Sequence, residues 1–191
     1  MFSLKRLFPL ALGLSLALVA LSATPATRAA DNDVTFEIVG APLSASVAAV
    51  TLDDITSSYD QQIPTGNMTL SVIDPTGLGN GWNVTILSST LVYTGTANTK
   101  TNLTADKFAI NTPGTPTMVA GMAVENTAGH GPFVGVGGTL DTARKVILSA
   151  ADHGLGSYTQ NLPISLTVPA YTRAGNYAGT LTVTISAGPN T

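Results

Sequence analysis

The chain has no cysteine among its 191 residues. This excludes a disulfide scaffold, a zinc–thiolate centre, a cysteine nucleophile and a lipid carried on an N-terminal cysteine. Charge is scarce, at 10% of residues, and aromatic residues make up 6%, with a single Trp. Such composition would suit a disordered segment, were it not for the 44% hydrophobic content and a mean hydropathy of +0.30, which supply enough apolar surface for a packed core. Basic residues are rarer still past residue 30, where only Lys100, Lys107, Arg144, Lys145 and Arg173 stand against eleven acidic residues, a net charge of −6. No basic stripe exists to neutralise a run of phosphates, so neither nucleic acid nor an anionic lipid surface is expected as a partner.

Long hydrophobic runs are absent except at the start. Lys5 and Arg6 precede a fifteen-residue apolar run over residues 7–21, and the small residues of Ala23-Thr24-Pro25-Ala26 and Ala29-Ala30 follow. A spanning helix needs roughly 20 apolar residues, so residues 1–30 read as a signal peptide cleaved near Ala29 or Ala30. Residues 31–191 are then one exported domain with no membrane association after cleavage, of a length that buries a single core without staples.

Within that domain the apolar residues alternate or come in short bursts between turn formers. Strands are expected over residues 34–39, 68–73, 82–87, 91–94, 117–124, 133–136, 145–148, 162–168 and 177–185. The last is the clearest, with Leu181, Val183 and Ile185 on one face and Thr180, Thr182 and Thr184 on the other. Helix is limited to a possible turn at 54–59 and another at 139–144. The fold class is therefore all-β, an antiparallel sandwich of about nine strands with little helix.

Catalytic signals are thin. No Gly-x-Ser-x-Gly marks a nucleophile, and Gly135-Val136-Gly137-Gly138 lacks a third glycine at the right spacing and the helix of a dinucleotide loop. His130 lies in Gly129-His130-Gly131 and His153 in Asp152-His153-Gly154, turn settings in which an imidazole is ordinarily solvated or capping. The acidic residues Asp31, Asp33, Asp53, Asp54, Asp74, Asp141 and Asp152 do not follow calcium-loop spacing, and Asp74 before Pro75 is a turn former. Asn67, Asn83 and Asn102 match the glycosylation triplet, as chance allows in a Thr-rich chain. A non-enzymatic protein without cofactor or metal is expected.

The most specific stretch is Leu70-Ser71-Val72-Ile73-Asp74-Pro75-Thr76-Gly77-Leu78-Gly79-Asn80-Gly81-Trp82-Asn83-Val84. It resembles the first signature of WxL domains, surface modules of Gram-positive bacteria, with Val84 at the Leu position. Asp152-His153-Gly154-Leu155-Gly156-Ser157-Tyr158 is similar to the family's Gly-rich segment, and Leu181-Thr182-Val183-Thr184-Ile185 with Pro189 to its last strand, where Val183 replaces the second Trp. The resemblance spans nearly all of residues 43–189. It implies a protein of the bacterial cell surface that associates non-covalently with the wall, through peptidoglycan or a wall-attached partner. Ligand contacts would fall on Trp82, Asp74, Asn80, Asn83, His153 and Tyr158. Trp82 would serve either as a sugar platform or as a core anchor, and Val183 either as a lost binding residue or as a repacked core. The alternative is a structural subunit that polymerises into a surface filament or layer by strand exchange, donating residues 31–39 to a neighbour's sheet edge.

Overall fold

Strict period-2 burial runs along the long strands and sets the architecture. In the computed structural model, which describes residues 35–50, 52–99 and 101–188, β1 is Ser44–Val47, β2 Thr65–Asp74, β3 Trp82–Ser88, β4 Val92–Tyr93, β5 Phe108–Ile110 and β6 Thr117–Gly121. They are followed by β7 Phe133–Val134, β8 Gly138–Thr139, β9 Arg144–Ser149, β10 Gly156–Leu166, β11 Tyr177–Ala178 and β12 Leu181–Ala187. Contacts divide the chain into residues 1–37 and 38–191, and the sandwich lies in the second unit. The expected leader falls outside the described residues.

One sheet runs β1-β2-β10-β5-β8, with β6 beside the first half of β10; the other runs β12-β3-β9-β7; β4 and β11 form a separate pair. Every pairing is antiparallel. Met68, Leu70 and Val72 from β2 and Tyr158, Leu162 and Ile164 from β10 face Trp82, Val84 and Ile86 from β3 and Val146 and Ile147 from β9 in one buried cluster. Fully burying one such aliphatic side chain contributes about 1.5–3 kcal/mol. Val183 and its neighbours Leu181 and Ile185 pack half-buried on that cluster from β12, with Val183 opposite Ile86.

Two local devices shape the packing between the sheets. A bulge puts Val84 opposite Ile147 but Thr85 opposite Lys145, leaving Val146 as an extra residue, and both Val146 and Ile147 point inward. Gln160, on the inner face of β10, is buried, and its amide donates to the Val146 carbonyl at 3.0 Å and the Gly114 carbonyl at 2.8 Å. Pro163 is tolerated within β10 because the strand's second neighbour changes there, from β6 to β5, with residues 111–114 bridging the gap: Asn111 N–H reaches the Pro163 carbonyl at 2.8 Å.

The all-β sandwich expected from sequence is the fold found, with several departures. Residues 35–39 form no strand, and residue 34 lies outside the described residues. β10 begins six residues before the expected 162, and 177–185 splits into β11 and β12. β1, β5 and β8 were not foreseen; each is four residues or fewer, too short to show a period. Neither expected helical turn forms. The Arg144 guanidinium holds the carbonyl and hydroxyl of Thr139 at 2.8 and 3.3 Å, tying together the two ends of the turn between β8 and β9, and the one described helical turn is Ala105–Lys107.

Candidate functional site

The Gly-rich residues 75–81 form no hairpin; they carry the chain from β2 in one sheet to β3 in the other, and residues 150–155 carry it back from β9 to β10. Because β2 pairs with β10 and β3 with β9, the two crossovers lie side by side. Asp152 N–H donates to the Gly79 carbonyl at 2.8 Å. Gly81, at φ +69°, comes so close that a Cβ would sit 2.6 Å from the Ser149 carbonyl oxygen. The two segments singled out in the sequence therefore meet.

Their aromatic residues, however, face inward. Trp82 is fully buried, its Nε1–H donating to the Gly154 carbonyl at 3.0 Å, with its ring 6.0 Å from that of Tyr158. Tyr158 is buried as well, and its single hydroxyl proton is shared between the Met122 and Leu155 carbonyls, 2.9 and 3.2 Å from the oxygen. Burial, joined by the Asp74 carboxylate, raises that phenol above its ordinary pKa. Asp74 is itself buried and orders the turn, accepting from the Thr76 N–H and hydroxyl at 3.0 and 2.7 Å. The expectation of a ligand surface on Trp82, Tyr158 and Asp74 is thus corrected, since close glycine packing closes the site over them. Of the other expected residues, Asn80 is exposed, while Asn83 and His153 are half-buried.

At the opposite end, where β2 begins and β10 finishes, lies a groove of about 280 Å³. This is at the small end of ligand pockets, suited to a ring-sized group. Its floor is Leu52, Pro64, Leu103, Leu166 and Val168, and Asp53, Asp54, Gln62 and Arg173 supply polar groups. Gln62 and Val168 exchange backbone hydrogen bonds at 3.0 and 2.9 Å, and Tyr171 N–H donates to Ser58 O at 3.1 Å, so the walls are tied. Tyr177 also lines it; burial, and then Tyr93, push its phenol pKa up.

Tyr59 and Tyr171 do not line the groove but are next in the chain to the lining residues Ser58 and Thr172, and they stand 80% and 71% exposed. Their ring centroids are 5.8 Å apart. Tyr171 is held at φ +61°, a conformation that costs a non-glycine residue about 1–2 kcal/mol.

No protein-family model, curated protein or solved structure matches the chain. The likeness to WxL domains rests on the residues quoted for it. The tyrosine pair escaped sequence reading because its members lie in unrelated loops far apart in the chain; the faint signal was Tyr among turn formers in Ser57-Ser58-Tyr59-Asp60 and Pro169-Ala170-Tyr171-Thr172. Among the described residues, no helix is long and apolar enough to cross a membrane.

Proposed function

We propose that this chain is an exported, non-catalytic protein of the bacterial cell surface that holds wall polymer non-covalently, and that the groove with Tyr59 and Tyr171 makes the contact. The exposed tyrosine pair is the observation that carries this reading. Two aromatic faces beside a ring-sized groove with carboxylates, an amide and a guanidinium match what a glycan chain presents: apolar sugar faces and directional hydroxyls. The leader-like start and the WxL resemblance support placement at the wall, and the net negative charge argues against phosphate-rich partners. The test is cosedimentation with purified wall sacculi across a salt series. Wild type and Asn80→Ala/Asn83→Ala are expected to sediment alike, and Tyr59→Ala/Tyr171→Gly to stay in solution. Equal sedimentation of all three would overturn the placement of the contact.

A second reading, a subunit that assembles by strand exchange, is favoured by one observation. Phe36, Ile38 and Val39 are 79–84% exposed in a segment that pairs with no strand. An alternating apolar segment left unpaired is the form a donated strand takes before it finds an edge. This reading predicts a ladder of sizes on gel filtration that collapses when residues 31–39 are deleted, and no sedimentation of the monomer with sacculi.

A further inference from the structure

Two loops brought together beside the crossovers carry a donor set that the sequence read as solvated turn residues. Glu125 and His130 lie between β6 and β7, and His153 lies in the second crossover. One ligand atom from each lies within 4.8 Å of the others. The Glu125 carboxylate is 2.6 Å from His130 Nδ1, and the two imidazole centroids are 5.0 Å apart.

The backbone fixes this arrangement. Ala150 N–H donates to the His130 carbonyl at 2.7 Å, and the Ala150 carbonyl accepts from His153 N–H at 3.3 Å, so one residue holds both histidine peptides. The loop bearing Glu125 is closed on itself. Asn126, at φ +46°, accepts Val134 N–H on its side chain at 3.0 Å, and Thr127 O accepts His130 N–H at 3.1 Å. The side chains of Glu125 and His130 are about half exposed, 46% and 51%, so an ion and its water have access.

We infer that Glu125, His130 and His153 bind a divalent transition-metal ion of the zinc type. One nitrogen from each imidazole and one carboxylate oxygen supply three ligands, and water takes the fourth position. Two imidazoles with one carboxylate suit a borderline ion; calcium and magnesium prefer six or more oxygens. Ligand atoms about 2.1 Å from a tetrahedral ion stand about 3.4 Å apart. The ligand atoms, within 4.8 Å of one another, would have to adjust to that spacing, with the exposed Glu125 and His130 side chains freer to turn than the half-buried His153. Asp152 is not part of it, for its carboxylate lies over Gly79. The ion would clamp the loop of Glu125 to the crossover whose Gly154 carbonyl holds the Trp82 indole.

The test uses the full chain, free of any affinity tag and stripped with a chelator, titrated with zinc chloride by calorimetry. In parallel, a long-range proton–nitrogen spectrum follows the rings of its two histidines. The expected result is one equivalent bound, both rings shifting together, and a thermal midpoint that rises with zinc. His130→Ala and His153→Ala should each weaken binding more than about tenfold, with unchanged circular dichroism. Failure of millimolar zinc to shift both rings would overturn the assignment, as would uptake of equal affinity in the histidine variants. The ring spectrum of the wild type decides the matter even where a variant fails to fold.

Discussion

At the end of the sandwich where β2 gives way to β3, four glycines, Gly77, Gly79, Gly81 and Gly154, hold positive φ, and the aromatic residues they flank are sealed inside. At the other end the aromatic pair stands in solvent and a tyrosine, Tyr171, occupies the left-handed region. The first end spends its conformational freedom on closeness: Gly81 and Gly154 touch the backbone or side chain of Ser149, so the crossovers stack without a gap. The second end holds Tyr171 at positive φ with its side chain in solvent, whereas Asp152 of the crossover, at φ +63°, turns its carboxylate back over Gly79. A conspicuous motif is thus not by itself a binding surface; what distinguishes one is aromatic area left in water on a tied backbone.

The largest expected effect is at the sealed end. Trp82→Ala removes the biggest buried side chain and the Nε1 hydrogen bond to Gly154, and should cost roughly 3–5 kcal/mol, read as a fall in the urea midpoint. A loss under about 1 kcal/mol would mean that Trp82 is not an anchor and would revive it as a platform.

Next come the glycines, which sharpen the distinction within one end. Gly154→Ala combines φ +78° with a Cβ 2.2 Å from Ser149 Oγ, whereas Gly77→Ala, at φ +67°, meets nothing within 4 Å. Conformational strain of about 1–2 kcal/mol applies to both, so the denaturation midpoints should separate by the extra cost of the clash at Gly154. Equal midpoints would show that the crossovers are not packed as closely as described.

Tyr158→Phe should be smaller, about 1 kcal/mol for the hydrogen bonds lost to Met122 and Leu155. It also carries a pH signature. Burial raises the folded-state pKa of this phenol above the unfolded value near 10, so the stabilisation is whole below about pH 10 and is lost as pH climbs through the folded value. Wild type should therefore lose stability above pH 10 more steeply than Tyr158→Phe, as followed by urea midpoints at pH 8 to 11.

The smallest effect on stability is expected at the open end. Tyr59→Ala/Tyr171→Gly removes exposed rings and relieves a strained φ, and should leave the midpoint within about 0.5 kcal/mol of wild type. A large loss would make the pair a structural clasp.

These regions also differed in how far the sequence disclosed them. β2, β3 and β12 were legible because one face is buried and the other wet, so period 2 survives in Met68-Leu70-Val72, Trp82-Val84-Ile86 and Leu181-Val183-Ile185. The start of β10 was not: Gly156, Ser157 and Thr159 read as turn and polar, and the inward Gln160 breaks the apolar pattern because its amide serves the Val146 bulge across the core. Neither the meeting of the Gly-rich segments nor the direction of Trp82 was decidable, since both depend on how closely a second chain segment passes. Tyr59 with Tyr171, and His130 with His153, are pairings made only by tertiary folding, with no spacing to announce them.

The groove end, rather than the crossover end, is proposed to meet the wall polymer. Amide chemical-shift mapping of the nitrogen-labelled protein with soluble peptidoglycan fragments separates the two ends. Perturbations are expected to centre on Ser58, Tyr59, Tyr171, Thr172 and Arg173 and to grow with fragment concentration, while Asn80, Asn83 and His153 stay in place. Perturbations centred on the latter three, with the tyrosine loops unmoved, would contradict the proposal.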